Sequence, residues 1–291
     1  WRWIDRYGVK SEKVRAAVPA RYQSKLTVVG DLMVDLSPLS AAPVDTTSPL
    51  IALLPGSKPW KLDQGVPLCL AIAEQIALQF PQARFILPVA PTLTLPALAK
   101  FADPKLSLII QKFGWANAQL FTPVDQNPYL KTAQGVKVEL ITQFPAHEIL
   151  VSCHFALTTV GANTAELATL GVPFIVLLPI QQLDAMRTWD GIPGILASLP
   201  LVGGTMAKII NLIVLAQGRR LYAWPNIWAK REIVPELLGM LDPAEVALIG
   251  IDWLNHPEKL QEIRSQLRQL VGQPGAALKL AQIVCDLVID F

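Results

Sequence analysis

Short, mainly apolar runs alternate with longer segments of helical spacing along most of this chain, and that alternation restricts the fold more than any other feature. LIALLP (residues 50–55) is followed by LCLAIAEQIALQF (68–80) and then by RFILPV (84–89). A run that is apolar at successive positions suits a strand covered on both faces, and the segment between suits a helix crossing back over the sheet. KLSLII (105–110), VKVELIT (136–142), FALTTV (155–160) and PFIVLLP (173–179) extend the series as strand candidates, with helix candidates over residues 95–101, 146–151 and 164–170. The pattern predicts an α/β fold, a Rossmann-like parallel sheet with helices on its faces. Residues 1–49, which hold the run SPLSAAPVDTTSP, read as a linker and lead-in; residues 50–256 read as the sheet domain; residues 257–291 read as closing C-terminal helices.

Composition narrows the setting. With 52% hydrophobic and only 16% charged residues, the chain has a substantial core and less solvated surface than most soluble enzymes, so part of its apolar surface is expected to face lipid. Residues 199–216 come near the roughly 18–20 consecutive apolar residues of a membrane span without reaching them, which favours contact with a bilayer surface over insertion. The net charge is +2, and Lys and Arg are scattered, which argues against a nucleic-acid partner. Cys69, Cys153 and Cys285 are odd in number and far apart, a usage that suits buried thiols and the cytoplasm. A chain that opens on Trp1, with no apolar leader, is expected to begin inside a longer protein.

In an open α/β sheet, ligands bind beyond the carboxyl ends of the strands, so the residues after each apolar run come first for inspection. After LIALL stand Pro55, Gly56, Ser57 and Lys58: a glycine that admits close approach, a hydroxyl and a cation, fit either for a phosphate or for an ordinary β-turn. After FALTTV stand Gly161, Ala162, Asn163, Thr164, Ala165 and Glu166. Here Asn163 or Thr164 can cap the next helix, whose free N–H groups suit a diphosphate, and Glu166, placed in its first turn, can accept from ribose hydroxyls. The alternative for Glu166 is a capping box that favours the helix dipole. Two such loops in one sheet favour a nucleotide site. A third segment, WPNIWAKREIVPELL (224–238), sets Asn226 and Glu236 either side of Lys230 and Arg231. Asn226 is a candidate reader of a sugar or exocyclic group and Glu236 a helix-start anion, the alternative being a loop and a capped helix.

The ordered series ALLPGSK, GANTAELATLGVP and WPNIWAKREIVPELL resembles the lipid-A-disaccharide synthases, whose pattern runs LLPGSR, SGTATLE before a GVP strand start, then LPN and VPELLQ. TVVGDLMVD (27–35) is similar to that family's VGHPLAD, so the resemblance spans about residues 27–240. It implies the C-terminal half of a GT-B glycosyltransferase, with Gly56, Ser57, Lys58, Gly161, Asn163, Thr164, Glu166, Asn226 and Glu236 around the UDP of a nucleotide-sugar. The implied reaction moves an acylated glucosamine from UDP to a lipid-linked glucosamine 1-phosphate, at the inner face of a membrane, with no metal and no cofactor. It also implies that the catalytic base and the acceptor site lie on an N-terminal half, so the catalytic residue is unassigned. A second copy of the chain counts among the expected partners.

The pattern is altered in places. Lys58 stands for arginine, keeping attraction for phosphate but exchanging a planar fork for a point charge. Val160 and Ala162 replace two hydroxyl residues around Gly161, and Gly239 replaces a glutamine. Two other functions fit the residues: a UDP-sugar 2-epimerase of the same fold, and a divergent, non-catalytic, membrane-associated binding protein. Residues 181–222, longer than the family requires, read either as a segment lying on a membrane surface or as a buried helix with a glycine-rich turn. Cys153 and His154 lack a third ligand for zinc, His147 and His256 lack an evident partner, and Trp224 and Trp228 suit uracil stacking, a lipid interface or the core.

Overall fold

The computed structural model describes residues 3–32, 34–36, 48–179, 220–271 and 274–289. Its centre is an eight-stranded sheet in the order β10-β9-β8-β3-β4-β7-β6-β5. The strands are β3 (Leu50–Leu54), β4 (Arg84–Pro88), β5 (Ala118–Phe121), β6 (Tyr129–Thr132), β7 (Lys137–Ile141), β8 (Phe155–Thr159), β9 (Phe174–Pro179) and β10 (Glu236–Gly239). Neighbours from β10 to β7 pair in parallel, and β5 and β6 add an antiparallel edge. This is the Rossmann-like α/β sheet that the apolar runs predict, with one unpredicted hairpin. The chain builds outward from β3 in one direction through β4 to β7 and then returns to the other side at β8. The switch point of the topology therefore lies between β3 and β8.

Two apolar layers account for the buried runs. Ile51, Leu53, Phe85, Leu87, Phe155, Leu157 and Ile175 face α3 (Pro59–Gln79), whereas Ala52, Leu54, Ile86, Ala156, Phe174 and Val176 face α6 (His147–Val151) and α7 (Ala162–Thr169). Strand periodicity thus sends alternate residues of one run to opposite faces. Helix α9 (Pro243–Asn255) joins the first layer against α3, and its Gly250 lies so close that a Cβ would meet the Phe155 ring at 2.7 Å. The closing helices are α10 (Pro257–Val271) and α11 (Ala276–Ile289).

Three expectations are corrected. KLSLII is not a strand: Ser107 accepts from the Ile110 N–H at 3.4 Å and starts α5 (Leu108–Phe113), which Gly114 ends in the left-handed region. The lead-in holds regular structure, with β1 (Tyr7–Val9) and β2 (Leu26–Val28) pairing in parallel around α1 (Glu12–Ala16) and α2 (Ala20–Gln23). Helix α11 packs on this unit, where Leu280 touches Gly8 and the Asp35 carboxylate accepts from the Gly275 and Ala277 N–H groups. VPELL does not start a helix, because Glu236 begins strand β10. Helix candidate 95–101 becomes α4 (Leu95–Ala99) and a 3-10 turn over Lys100–Ala102. Residues 180–219, which include 199–216, lie outside the described residues, and no helix among the described residues is long and apolar enough to cross a membrane.

The thiols give a direct check on this packing. Cys69 and Cys153 are buried, and burial pushes each thiol up to about 12, whereas Cys285 is exposed on α11. A thiolate is the reactive species. Native protein treated with a disulfide reagent at pH 8 is expected to release one equivalent quickly and the other two only in denaturant; three fast equivalents would contradict the burial.

Candidate functional site

The loops after β3 and β8 meet because the two strands are neighbours. Thr158 and Thr159, buried at the end of β8, donate to the carbonyls of Leu54 at 3.3 Å and Pro55 at 3.2 Å. These bonds satisfy hydroxyls that burial would otherwise penalise, and they fix the Pro55–Gly56 turn against the Val160–Gly161 turn. Two glycines are required there. Gly56 has φ +102°, and a Cβ on it would lie 2.9 Å from Lys61 Cδ; Gly161 has φ +153°, and a Cβ on it would lie 3.1 Å from Lys61 Nζ.

Lys61 is the cation at the junction of the two loops. Its ammonium donates to the Val160 carbonyl and is half-buried, and burial, with Lys58 nearby, holds its pKa below the ordinary lysine value. The side chain comes from the first turn of α3, whose N-cap is Lys58 without a side-chain cap. Ser57 and Lys58 are exposed at the rim.

Helix α7 begins with Gly161 as N-cap and no side-chain cap bond; Thr164 N–H bonds the Gly161 carbonyl at 3.1 Å, and the Ala162 and Asn163 N–H groups have no partner among the described residues, which suits them to an anion. Neither Asn163 nor Thr164 caps it. The fully buried Thr164 donates to the Gly161 carbonyl at 2.9 Å and accepts from the Trp224 N–H at 3.3 Å, tying α7 to α8 (Trp224–Ala229). Glu166 lies beyond the first turn and takes no part in a capping box; its Oε1 is 2.9 Å from His147 Nε2, on the loop side of β7. His147 thus has a partner, which the sequence left unassigned.

Asn226 and Glu236 turn inward. Asn226 is fully buried and spends every bonding position on protein. Its Nδ2 donates to the Val234 carbonyl and to Glu236 Oε1, both at 2.8 Å, and its Oδ1 accepts from Ile233 and Val234 N–H at 2.7 and 3.0 Å. Glu236 also accepts from the N–H groups of Tyr222 at 3.0 Å and Ala223 at 2.7 Å, so it caps α8 from across the sheet edge. The pair clasps α8 to β10, and the sugar-reading role expected of Asn226 does not fit this geometry. Trp228 packs beneath the Lys10 ammonium, 4.1 Å from its ring centre, and Trp224 stays partly exposed beside it.

The two loops and the start of α7 thus carry Gly56, Ser57, Lys58, Lys61, Gly161, Asn163 and Glu166, whereas Thr164, Asn226 and Glu236 bond protein groups that hold α7, α8 and β10 together. Lys61 stands outside the sequence motifs. The signal available was its place in the first turn of the helix that follows the PGSK loop, one turn after Lys58.

Comparison with known proteins shows what the chain resembles in sequence and in fold. The chain is similar to the lipid-A-disaccharide synthase of Anaeromyxobacter dehalogenans, 26% identical over 250 residues that cover 84% of this chain and 51% of that protein. The lipid-A-disaccharide synthases of Geobacter metallireducens and Neisseria meningitidis are 23% and 26% identical, over 86% and 78% of this chain and 52% and 46% of theirs. The chain thus spans about half the length of the curated relatives it matches. No protein-family profile matches it. Among solved structures, a putative UDP-N-acetylglucosamine 2-epimerase from Listeria monocytogenes shares the fold, with a TM-score of 0.50 at 12% identity, covering 99% of this chain and 61% of that one. The chain is lipid-A-disaccharide-synthase-like in sequence and has the Rossmann-like fold of a GT-B half.

Proposed function

We propose that the adjoining β3 and β8 loops hold the UDP of a nucleotide-sugar, and that this chain is the donor-binding half of a glycosyltransferase of the lipid-A-disaccharide synthase type. The observation that carries the reading is the convergence of the Lys61 ammonium, the Gly56 turn and the uncapped start of α7 at the switch point of the sheet. Departure of UDP concentrates negative charge on its diphosphate. Fixed N–H dipoles and a half-buried ammonium stabilise that charge more than the ground state, which lowers the barrier to glycosyl transfer without a metal. Glu166 accepts from a ribose hydroxyl, and Lys58 and Ser57 close the rim.

On this reading the donor is a UDP-linked acylated glucosamine, the acceptor is a lipid-linked glucosamine 1-phosphate, and the protein works peripherally at the inner face of a membrane. Residues 50–256 form the donor domain, and the base that activates the acceptor lies on a separate half. The epimerase reading rests on fold alone, whereas the transferase reading also has relatives in sequence over more than three-quarters of the chain. Two assays test the proposal together. The 291-residue chain is expected to bind UDP in calorimetry while transferring no sugar by itself. Absence of UDP binding would refute the donor site, and normal turnover would refute the placement of the base elsewhere.

A further inference from the structure

We infer that His147 is a positioning residue that makes the nucleotide site selective for a ribose over a deoxyribose, an inference that rests on the donor-site reading above. The Glu166 carboxylate is three-quarters buried and His147 more so, with side-chain exposures of 25% and 12%. Their contact, Nε2 to Oε1 at 2.9 Å, joins the start of α6 to the middle of α7 across the ligand-side end of β8. A carboxylate only accepts, so the proton of this bond sits on Nε2 and His147 is the donor. Glu166 has no other hydrogen bond among the described residues.

One oxygen of Glu166 is therefore held by protein, and Oε2 is left to accept from a ribose hydroxyl. Without His147 the carboxylate regains free rotation about its side-chain bonds, and Oε1 must find water. The bond to the sugar then costs rotamer entropy that the histidine has already removed. Selectivity between a hydroxyl and a hydrogen at the sugar comes from this pre-aimed acceptor, because a buried oxygen left unpaired by the deoxy compound is penalised.

The test compares UDP, 2′-deoxy-UDP, 3′-deoxy-UDP and inorganic pyrophosphate by calorimetry on the wild-type chain, His147→Ala and His147→Gln. Wild type is expected to prefer UDP over one of the deoxy compounds by about tenfold, the size of one hydrogen bond to a charged group. His147→Ala is expected to lose most of that preference while binding pyrophosphate as wild type does. His147→Gln, whose Nε2 reaches much the same position, is expected to restore it. A purely structural role would move pyrophosphate binding and melting temperature with it, and would overturn the inference. So would UDP selectivity that is unchanged in His147→Ala. Failure of the wild-type chain to bind UDP at all would instead overturn the donor-site reading, and this inference with it.

Discussion

Asn226→Ala is expected to lower the stability of the protein by about 3–5 kcal/mol. The side chain is fully buried and makes four hydrogen bonds, two as donor and two as acceptor. Alanine leaves the Ile233 and Val234 N–H groups and the Val234 carbonyl without this partner. Each buried group left unsatisfied costs about 1–3 kcal/mol, and partial relaxation keeps the total below the sum. The loss also removes one of three donors to Glu236 Oε1, which keeps the Tyr222 and Ala223 N–H groups. Urea unfolding measures it as a lower midpoint at an unchanged slope. A variant of wild-type stability that had lost only ligand affinity would instead return Asn226 to the sugar-reading role.

Lys61→Ala is expected to weaken UDP binding by roughly 10–100-fold, the range for one charge-assisted hydrogen bond in a partly desolvated site. Lys58→Ala, at the exposed rim, is expected to cost only a few-fold and to do so mainly at low salt. Geometry separates the two lysines. Lys61 Nζ lies near Gly161 and bonds the Val160 carbonyl, so its charge is fixed beside the start of α7. Calorimetry of both variants with UDP and with pyrophosphate decides between them. Dominance by Lys58 with an indifferent Lys61 would move the phosphate site out to the rim.

How much of this was legible in the sequence follows from where each signal resides. LIALL, FALTT and FIVLLP are apolar on both faces because the sheet is covered on both, and such runs declare themselves. KLSLII misleads because a short, mainly apolar run fits a buried strand and a helix turn equally; Ser107 and Gly114, which frame α5, decide the matter only through cap geometry. The β5–β6 hairpin escaped notice because AQLF and YLKT are short and mixed, as an edge strand tolerates. The glycines of the two loops were readable as close-approach residues, since positive φ and a crowded Cβ are properties of the position itself.

Roles set by distant partners were not readable in the same way. Lys61 gains its place from Val160, 99 positions away, and His147 from Glu166, 19 positions away. Asn226 and Glu236 stand out as a motif, yet their bonds are internal to the protein. The spacing shows that two polar residues act together, and only burial shows whether they face ligand or protein. Thr164 follows the same rule, being buried between α7 and α8.

The central claim is that one nucleotide site lies across the β3 and β8 loops. Its most direct test is a titration of isotope-labelled protein with UDP, followed through backbone amide resonances. The account predicts saturable shifts at residues 56–58, 61 and 161–166, with the α11 cavity lined by Arg6, Thr27 and Lys279 unaffected. Shifts confined to that cavity, or none at millimolar UDP, would contradict it.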